Sequence, residues 1–254
     1  MTEKETDDVK NKNQGIYLSL IIPAFNEETR IGISLDRILS FLRSQPYSSE
    51  VIIVDDGSKD RTRDLIRERY GNQDGVRIYH QPRNLGKGEA VKKGMLLGNG
   101  EYLFFSDADL SVPIETLPTF LNYLEKHCDV TIGTRQKSGA TIEVHQPFYR
   151  EFMGKIYTRL SNWILGLSTS DFTCGFKGFR REAARELFSR QKLKNWSFDA
   201  EILYLAHLKD YPVLEIPVHW RNDERTKVRL WRDVVGSFLG LIQIRFNAFM
   251  RRYQ

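Results

Sequence analysis

The residues of this sequence best suited to chemistry are two aspartates, Asp107 and Asp109, which directly follow the apolar run 102–105. That run is too short for a helix and has the length of a buried strand. In an extended chain, residues two apart point to the same side, so both carboxylates would converge at the carboxyl end of this strand. They would repel each other unless a cation lay between them or one were protonated. The pair therefore predicts a divalent metal that receives a phosphorylated substrate, with a solvated turn as the alternative.

Short apolar runs of strand length recur along the first half of the chain, at residues 17–22, 51–54, 76–79, 102–105 and 129–133. The first is expected to end at Pro23. Helical patterns of 10 to 15 residues separate the runs, which predicts an α/β fold with a mostly parallel sheet and helices on both faces. Ligands in such sheets bind outside the carboxyl ends of the strands. The segments that begin at Pro23, Asp55, Asp107 and Thr134 all follow strands, so they are expected to share one edge.

Two common phosphate-binding motifs are missing from the sequence, Gly-x-Gly-x-x-Gly after the first strand and Gly-x-x-x-x-Gly-Lys-Ser/Thr. Their absence speaks against a dinucleotide oxidoreductase and a P-loop enzyme. Phosphate would then be held by a metal and by side chains. Asp55 or Asp56, at the end of the second strand, is placed to bond a ribose hydroxyl or to form an Asx-turn.

The chain of 254 residues carries a net charge of +5, which is −3 over residues 1–149 and +8 over residues 150–254. Two cysteines, Cys128 and Cys174, give neither a disulfide framework nor metal-site spacing, which favours a reducing, cytosolic setting. Residues 1–14 are polar, without the apolar core of a signal peptide. The sequence contains no run of about 18 apolar residues, the length needed to span a bilayer, so no transmembrane segment is expected. The basic half lacks a recognised nucleic-acid motif, so no nucleic-acid partner is expected.

Four stretches together resemble the family 2 glycosyltransferases, which have the nucleotide-sugar-binding fold called GT-A. The stretches are Ile21-Ile-Pro-Ala-Phe-Asn-Glu27, Val54-Asp-Asp-Gly-Ser-Lys-Asp-Arg-Thr62, Asn84-Leu-Gly-Lys-Gly88 and Ser106-Asp-Ala-Asp109. Each is weak alone, but the order and spacing of all four across the first 135 residues make a strong signal.

The resemblance implies that the first half binds a nucleoside diphosphate sugar. The residues it assigns to the nucleotide sugar are Pro23, Ala24, Phe25, Glu27, Asp55, Asp56, Gly57, Lys87, Ser106 and Asp107. Asp107 and Asp109 would hold Mn²⁺ or Mg²⁺ on the diphosphate. For Lys87 two interpretations stay open, a place near phosphate and a structural role at the start of a helix.

Motifs of the second half resemble the polyprenyl-phosphate sugar transferases, and within them the dolichyl-phosphate glucosyltransferases. They are Thr131-Ile-Gly-Thr-Arg135, Asp171-Phe-Thr-Cys-Gly-Phe-Lys-Gly-Phe179, Trp196-Ser-Phe-Asp-Ala-Glu-Ile202, His219-Trp220 and Arg225-Thr-Lys-Val228. This resemblance implies UDP-glucose as donor and a polyprenyl phosphate, dolichyl or undecaprenyl, as acceptor. The alternatives are GDP-mannose as donor, a soluble sugar hydroxyl as acceptor, and a non-catalytic membrane-associated scaffold.

A phosphate acceptor is already ionised at neutral pH and needs no general base, only cations that bring two anions together. Beside Asp107 and Asp109, the resemblance makes Arg135 and Lys227 catalytic. The residues expected to bind the acceptor are Arg150, Asp171, Lys177, Asp199, Arg225 and Arg229. Asp199 and Glu201 would serve as a base only for a hydroxyl acceptor.

Two segments with helical spacing carry apolar stripes flanked by basic residues, at residues 152–167 and 231–249. Such helices lie in membrane interfaces or pack on a protein core or another subunit. For the first segment both alternatives stay open, and for the second we expect a membrane surface.

The predicted organisation is a polar tail at residues 1–14, a catalytic domain at 15–229 with halves 15–135 and 136–229, and an amphipathic helix at 230–254. We expect a cytoplasmic enzyme that lies peripherally on the cytosolic face of a membrane, with an oligomer as an open alternative.

Overall fold

The computed structural model describes residues 15–144, 147–221 and 230–254, and of residues 230–234 the backbone alone. Nine strands are present in this part of the chain: β1 (Leu18–Ala24), β2 (Ser49–Asp55), β3 (Val76–His80), β4 (Tyr102–Ser106), β5 (Val130–Thr134), β6 (Thr141–Val144), β7 (Phe176–Arg180), β8 (Val213–Pro217) and β9 (His219–Arg221).

Eight α-helices connect or follow these strands in the described residues. They are α1 (Ile31–Arg43), α2 (Thr62–Tyr70), α3 (Lys87–Leu97), α4 (Leu117–Lys126), α5 (Phe148–Leu165), α6 (Arg181–Arg190), α7 (Phe198–Leu208) and α8 (Leu230–Phe249). A short 3₁₀ turn, Ile114–Thr116, precedes α4. No helix among the described residues is both long and apolar enough to cross a bilayer.

Seven strands form one sheet in the order β3-β2-β1-β4-β7-β5-β8, and β6 pairs with β9 in a separate small sheet. The predicted mostly parallel sheet is confirmed: β7 alone runs antiparallel to its neighbours β4 and β5. Because β7 is reversed, its first residue lies at the same edge as the last residues of β4 and β5. The antiparallel strand therefore delivers residues 171–175 to the edge where the parallel strands end.

Strand β1 continues through Pro23 to Ala24, two residues beyond the end expected from the sequence. Proline has no N–H to donate to a neighbouring strand. Here none is required on the β4 side, because the pairing of β1 with β4 ends at Ile21, opposite Phe105. The pairing with β2 continues to Ala24, so Pro23 lies in a strand that has only one neighbour at that point.

Both faces of the sheet are covered by helices, as expected for buried parallel strands. Alternate residues of β4 divide between the two cores: Leu103 and Phe105 pack with α6 and α7, whereas Phe104 packs with α1 and α4. All three side chains are fully buried. This packing holds the end of β4, and with it the two aspartates, at a fixed point of the sheet edge.

Candidate active site

Asp107 and Asp109 lie in the turn that leaves β4, as the sequence predicts. The Asp107 N–H donates to the carbonyl of Gly175 (3.1 Å), which ties this turn to the segment before β7. Asp109 Oδ1 accepts from the Ser111 N–H (2.9 Å), and Leu110 between them has a left-handed φ of 51°. The turn thus presents both carboxylates at the sheet edge with part of each still open to solvent, 32% and 22% of the side chain respectively.

The burial and mutual repulsion of the two carboxylates favour a bound cation. Burial, followed by the negative charge of Asp107, raises the pKa of Asp109 above its ordinary value. The Arg30 guanidinium lies 4.0 Å from Asp109 Oδ2 and acts in the opposite direction. A raised carboxyl pKa beside a second carboxylate means that the pair gains from any cation placed between them.

Lys87, at the first position of α3, supplies a positive charge to this pair. Its ammonium nitrogen lies 2.6 Å from Asp107 Oδ1 and 5.0 Å from the ring centre of Trp196. Burial lowers the pKa of Lys87, but the nearby carboxylates, Asp107 first and then Asp199, outweigh it and leave this pKa above its ordinary value. Lys87 thus begins α3 and also lies beside the carboxylate pair, and a place near phosphate stays a prediction.

The donor set suits Mg²⁺ or Mn²⁺, which take oxygen ligands from one or two carboxylates and complete their shell with phosphate and water. No group of three or more His, Cys, Asp or Glu side chains is arranged for a metal within residues 15–144, 147–221 and 235–254. A cation at Asp107 and Asp109 would therefore depend on substrate oxygens for its remaining ligands. This dependence is typical of a metal that arrives with a diphosphate.

The residues before β7 form the floor beneath Asp107. A Cβ atom added to Gly175 would lie 2.0 Å from Asp107 Oδ2, so only glycine leaves room for this carboxylate. Sequence reasoning included Gly175 in a motif but gave it no part in the site. The close approach depends on β7 lying beside β4, which the sequence pattern did not predict.

Asp55 is the last residue of β2 and Asp56 follows it at the same edge, but their carboxylates have different partners. Asp56 accepts from the N–H groups of Leu85 (2.7 Å) and Gly86 (2.9 Å), and burial raises its pKa although these two bonds lower it. Asp55 accepts from the Ser58 N–H (3.1 Å), so it forms the turn bond that the sequence left open. These contacts give Asp56 a role in holding the loop that precedes Lys87.

His80, the last residue of β3, is a neighbour of Asp55 that sequence reasoning missed. Its Nδ1 lies 3.2 Å from Asp55 Oδ2. The signal available in the sequence was its position directly after the apolar run 76–79.

Gly57, which follows β2, has a φ of 68°, and a Cβ there would lie 2.4 Å from the backbone carbon of Arg83. The ends of β2 and β3 are therefore packed backbone to backbone.

The end of β1 and the segment that follows it are connected to the segment after β2 by hydrogen bonds from two backbone N–H groups. The Asp56 N–H donates to the carbonyl of Ala24 (2.8 Å), and the Asn26 N–H donates to Ser58 Oγ (2.9 Å). Pro23 and Phe25 are half-buried, whereas Ala24 and Ser106 are buried. The structure thus brings together the first-half residues that the resemblance assigns to a nucleotide sugar, although their contacts with a ligand stay a prediction.

Glu27 is buried and acts through Arg30. Arg30 donates from Nη2 to Glu27 Oε1 (2.9 Å) and from Nε to the other carboxylate oxygen. The Glu27 N–H donates to Thr62 Oγ1 (2.6 Å), which fixes the start of α2 against this loop. Because Arg30 is also the cation near Asp109, Glu27 orients a positive charge toward the carboxylate pair.

Arg135, just after β5, forms an ion pair with Asp171, which is buried, whereas 17% of the Arg135 side chain is exposed. Arg135 donates from Nε to Asp171 Oδ2 (2.7 Å) and from Nη2 to Oδ1 (2.9 Å), and its guanidinium lies 5.2 Å from the Trp220 ring centre. Burial would raise the pKa of Asp171, but the charge and hydrogen bonds of Arg135 lower it below its ordinary value. A bidentate, stacked guanidinium of this kind is held in one orientation.

Lys177 and Asp199 form a second ion pair in the interior, between β7 and the first turn of α7. The Lys177 ammonium also donates to the carbonyls of Phe172 (3.0 Å) and Cys174 (2.6 Å), and no part of the residue is exposed. Both residues were expected to bind the acceptor. That role stays a prediction, and the contacts of Lys177 tie α7 to the segment 171–175 beneath Asp107.

Of the other residues predicted for acceptor binding or catalysis in the second half, the structure describes Arg150 and leaves three basic residues near position 227 undescribed. Arg150 lies in the first turn of α5, half-buried, and its Nε is buried without a hydrogen-bond partner among the described residues. Arg225, Lys227 and Arg229 lie outside the described residues.

Comparisons with known proteins agree with this architecture. The family model described as glycosyl transferase family 2 matches residues 19–188. The dolichyl-phosphate β-glucosyltransferase of Dictyostelium discoideum is 32% identical over 256 residues, which cover 95% of this chain and 78% of the relative. The human dolichyl-phosphate β-glucosyltransferase is 33% identical over 245 residues, covering 90% of this chain and 75% of the relative.

Among solved structures, glucosyl-3-phosphoglycerate synthase from Mycobacterium tuberculosis, in complex with Mn²⁺, UDP and glucosyl-3-phosphoglycerate, superposes with a TM-score of 0.65. It is 19% identical, and the match covers 96% of this chain and 84% of that one. A likeness at this identity shows the fold, which is GT-A, as the resemblance implied. With the family model matching well over half of the chain, this protein belongs to glycosyl transferase family 2 and is a glycosyltransferase.

Proposed function

We propose that this glycosyltransferase moves glucose from UDP-glucose to the phosphate of a polyprenyl phosphate, with the help of a divalent cation. The observation that carries the proposal is the paired carboxylate site of Asp107 and Asp109, next to Lys87, in a chain 32% and 33% identical to two dolichyl-phosphate β-glucosyltransferases. The complex of the solved neighbour with Mn²⁺ and UDP supports the choice of metal and nucleotide.

Asp107 and Asp109 would hold the metal, which when bound supplies charge neutralisation and Lewis acidity at the departing diphosphate. Lys87 adds a fixed positive charge from the protein at the same place, 2.6 Å from Asp107. Glu27 keeps Arg30 directed at Asp109. Such preorganised charges stabilise the transition state because they need no rearrangement as the leaving group becomes negative.

The acceptor phosphate, with a second pKa near 6, is largely dianionic at neutral pH and attacks without a general base. One of its oxygens forms a bond to the anomeric carbon while the bond from that carbon to the UDP oxygen breaks, and UDP leaves with the electron pair. Attack from the opposite side inverts the configuration and gives a β-linked lipid-phosphate sugar.

The buried acids of α7 favour this acceptor over a hydroxyl. A hydroxyl acceptor needs a base within hydrogen-bond reach. Asp199 is paired with Lys177, and both oxygens of Glu201 accept bonds from the backbone of residues 192–193. Neither carboxylate has a surface that an acceptor touches, since they are 4% and 0% exposed.

A membrane surface is part of the proposal, because the acceptor is a lipid. Helix α8 exposes five apolar side chains with a spacing of three or four residues, which places them on one face: Val235, Leu239, Ile242, Phe246 and Phe249. Its opposite face packs on the body of the protein through Leu241 and Ile244, both fully buried.

Basic residues flank the exposed face of α8. Arg245, Arg251 and Arg252 are exposed. Helix α5 adds exposed aromatic side chains, among them Phe152 and Trp163, while its residues Tyr157 and Leu165 are buried. Apolar faces with basic flanks bind anionic membrane surfaces. We therefore propose a peripheral enzyme on the cytosolic face of a membrane.

The test is a transfer assay with purified protein, radiolabelled UDP-glucose, Mn²⁺ and polyprenyl phosphate. Label is expected in the organic phase, and none is expected with Asp109→Asn. An asparagine keeps an oxygen that accepts from the Ser111 N–H, so this variant retains the turn while losing the charge. Label from GDP-mannose but not from UDP-glucose would overturn the donor, and unchanged transfer by Asp109→Asn would overturn the metal site.

A further inference from the structure

A buried carboxylate distant from the sheet edge connects the end of the described chain to the active site. Glu201, on α7, is fully buried. Its Oε2 accepts from the Leu193 N–H (2.8 Å), and both of its oxygens are 3.1 Å from the Lys192 N–H. Its Oε1 also accepts from the hydroxyl of Tyr253 (2.6 Å). One side chain thus joins α7, the segment 191–197 and the residues that follow α8.

The segment 191–197 in turn holds the residue that follows Lys87. The N–H of Gly88 donates to the carbonyl of Lys194 (2.8 Å), and the carbonyl of Gly88 accepts from Gln191 Nε2 (2.9 Å). Both backbone groups of Gly88 are therefore satisfied by this segment. A Cβ on Gly88 would lie 2.9 Å from the carbonyl oxygen of Leu193, so the two backbones are in direct contact.

The same segment contacts Lys87 itself. Trp196 is 37% exposed, and its ring centre lies 5.0 Å from the Lys87 ammonium nitrogen. That ammonium nitrogen also lies 2.6 Å from Asp107 Oδ1. The position of the Lys87 charge is thus fixed on one side by the aspartate and on the other by residues that Glu201 holds.

Tyr253 is buried and is also fixed through its backbone. It is 4% exposed, and its carbonyl accepts from Arg190 Nε (3.0 Å) at the end of α6. Without its hydroxyl, Oε1 of the buried Glu201 carboxylate would keep only a 3.1 Å bond from the Lys192 N–H. A buried carboxylate that loses a donor is strongly destabilised where it lies, and the segment that it holds would shift or loosen.

From these contacts we propose that Glu201 and Tyr253 are positioning residues for glycosyl transfer, which hold Lys87 against Asp107 through the segment 191–197. The inference rests on the proposed active site at Asp107 and Asp109. It assigns the residues after α8 a part in positioning the catalytic groups. The hydroxyl of Tyr253 is the single group whose removal tests it.

Tyr253→Phe is compared with Tyr211→Phe, which removes a bond of the same length at a partly exposed carboxylate: the Tyr211 hydroxyl donates to Glu186 Oε2 on α6, also at 2.6 Å. With UDP-glucose as donor, Tyr253→Phe is expected to lower kcat by at least about tenfold, since misplacement of a catalytic group by an ångström has effects of this size or larger. The KM for UDP-glucose is expected to change less than kcat, and Tyr211→Phe is expected to keep the wild-type kcat.

A double-mutant cycle separates positioning from general loss of structure. If Tyr253 acts through Lys87, Tyr253→Phe has no further effect on kcat when Lys87 is already replaced by methionine. Equal effects of Tyr253→Phe in both backgrounds, or a kcat equal to that of Tyr211→Phe, would overturn the inference.

Hydrogen exchange on the unliganded protein tests the structural connection without any donor or acceptor. Tyr253→Phe, but not Tyr211→Phe, is expected to speed exchange in peptides covering 86–90 and 191–197. Unchanged exchange there would overturn the inference even if wild-type transfer is robust. Absence of transfer by the wild type with altered exchange in Tyr253→Phe would instead count against the proposed function alone.

Discussion

The Lys87 ammonium nitrogen lies 2.6 Å from Asp107 Oδ1, so a side-chain cation occupies the approach to the carboxylate pair. A divalent cation binding at Asp107 and Asp109 would feel the repulsion of this charge, whereas a negatively charged diphosphate would feel its attraction. The Lys87 charge therefore opposes binding of a metal alone and favours binding of a metal together with a nucleotide diphosphate.

Replacing Lys87 by methionine should strengthen binding of Mn²⁺ in the absence of nucleotide. Two unit charges 4 Å apart interact by about 4 kcal/mol at an effective dielectric constant of 20, so removal of the repulsion should tighten Mn²⁺ binding by at least about tenfold. The same variant should lower kcat by about 10²-fold, because a preorganised charge at the leaving group is lost. Isothermal titration with Mn²⁺ and a transfer assay measure the two effects. Lys93→Met, on an exposed position of α3, should change neither.

The position of the carboxylate pair was predictable because it depends on local geometry. An apolar strand followed by Asp-x-Asp fixes where two side chains point, and Asp107 and Asp109 lie as expected at the end of β4. The parallel direction of β1, β2, β3 and β4 was predictable from the alternation of short apolar strands with helices, whereas their order in the sheet was not predicted. In each case the spacing of the apolar residues and the turn that follows them are enough to predict the local structure.

The structural role of Lys177 was not predictable, because it depends on partners distant in the chain. A fully buried lysine in a central strand is tolerated only when other groups satisfy its charge. Here Asp199, 22 residues away, and two backbone carbonyls do so. Asp56 is a similar case, since its partners at residues 85–86 come together with it only after β2 and β3 have paired.

Gly175→Ala should disable the site with little effect on stability. The new methyl carbon would lie 2.0 Å from Asp107 Oδ2, so the carboxylate must move away from its present place. Loss of a metal ligand should lower both Mn²⁺ affinity and kcat by at least about tenfold. Gly154→Ala is the control, since no atom lies within 4 Å of a Cβ there. It should stabilise α5 by about 0.5–1 kcal/mol and leave kcat unchanged. Wild-type activity in Gly175→Ala would show that Asp107 acts from another rotamer.

Breaking the Arg135–Asp171 pair should reduce stability in a way that depends on pH. Removing one partner of a buried ion pair costs about 3–5 kcal/mol, so Arg135→Gln should lower the free energy of unfolding by about that amount at pH 7. The wild-type pKa of Asp171 is lowered, so its stabilising contribution is complete above the ordinary aspartate pKa of about 3.9 and is lost as the pH falls through the lowered value.

In Arg135→Gln the burial of Asp171 persists while its main cation is gone, so its pKa should rise above the ordinary value. The variant should then gain stability relative to the wild type as the pH falls from 7 toward 4. Urea unfolding at several pH values measures the difference. The control is Arg69→Gln, which removes a half-exposed pair with Asp36 and should cost at most about 1 kcal/mol at any pH. A constant difference between wild type and Arg135→Gln from pH 7 to 4 would contradict this assignment.

Charges placed on the exposed face of α8 should weaken binding to anionic vesicles. Ile242 and Phe246 are 61% and 51% exposed, and each apolar side chain that leaves water contributes about 1.5–3 kcal/mol. The variant with Ile242→Glu and Phe246→Glu should therefore bind vesicles containing anionic lipid at least about tenfold more weakly than the wild type in a flotation assay, and wild-type binding should weaken with added salt. Ile33→Glu provides the control, because Ile33 is an apolar residue that is 75% exposed on α1.

If Ile33→Glu weakened flotation as much as the α8 variant, membrane binding would not depend specifically on the exposed face of α8. If wild-type protein failed to float even at low salt, the peripheral membrane proposal would be wrong.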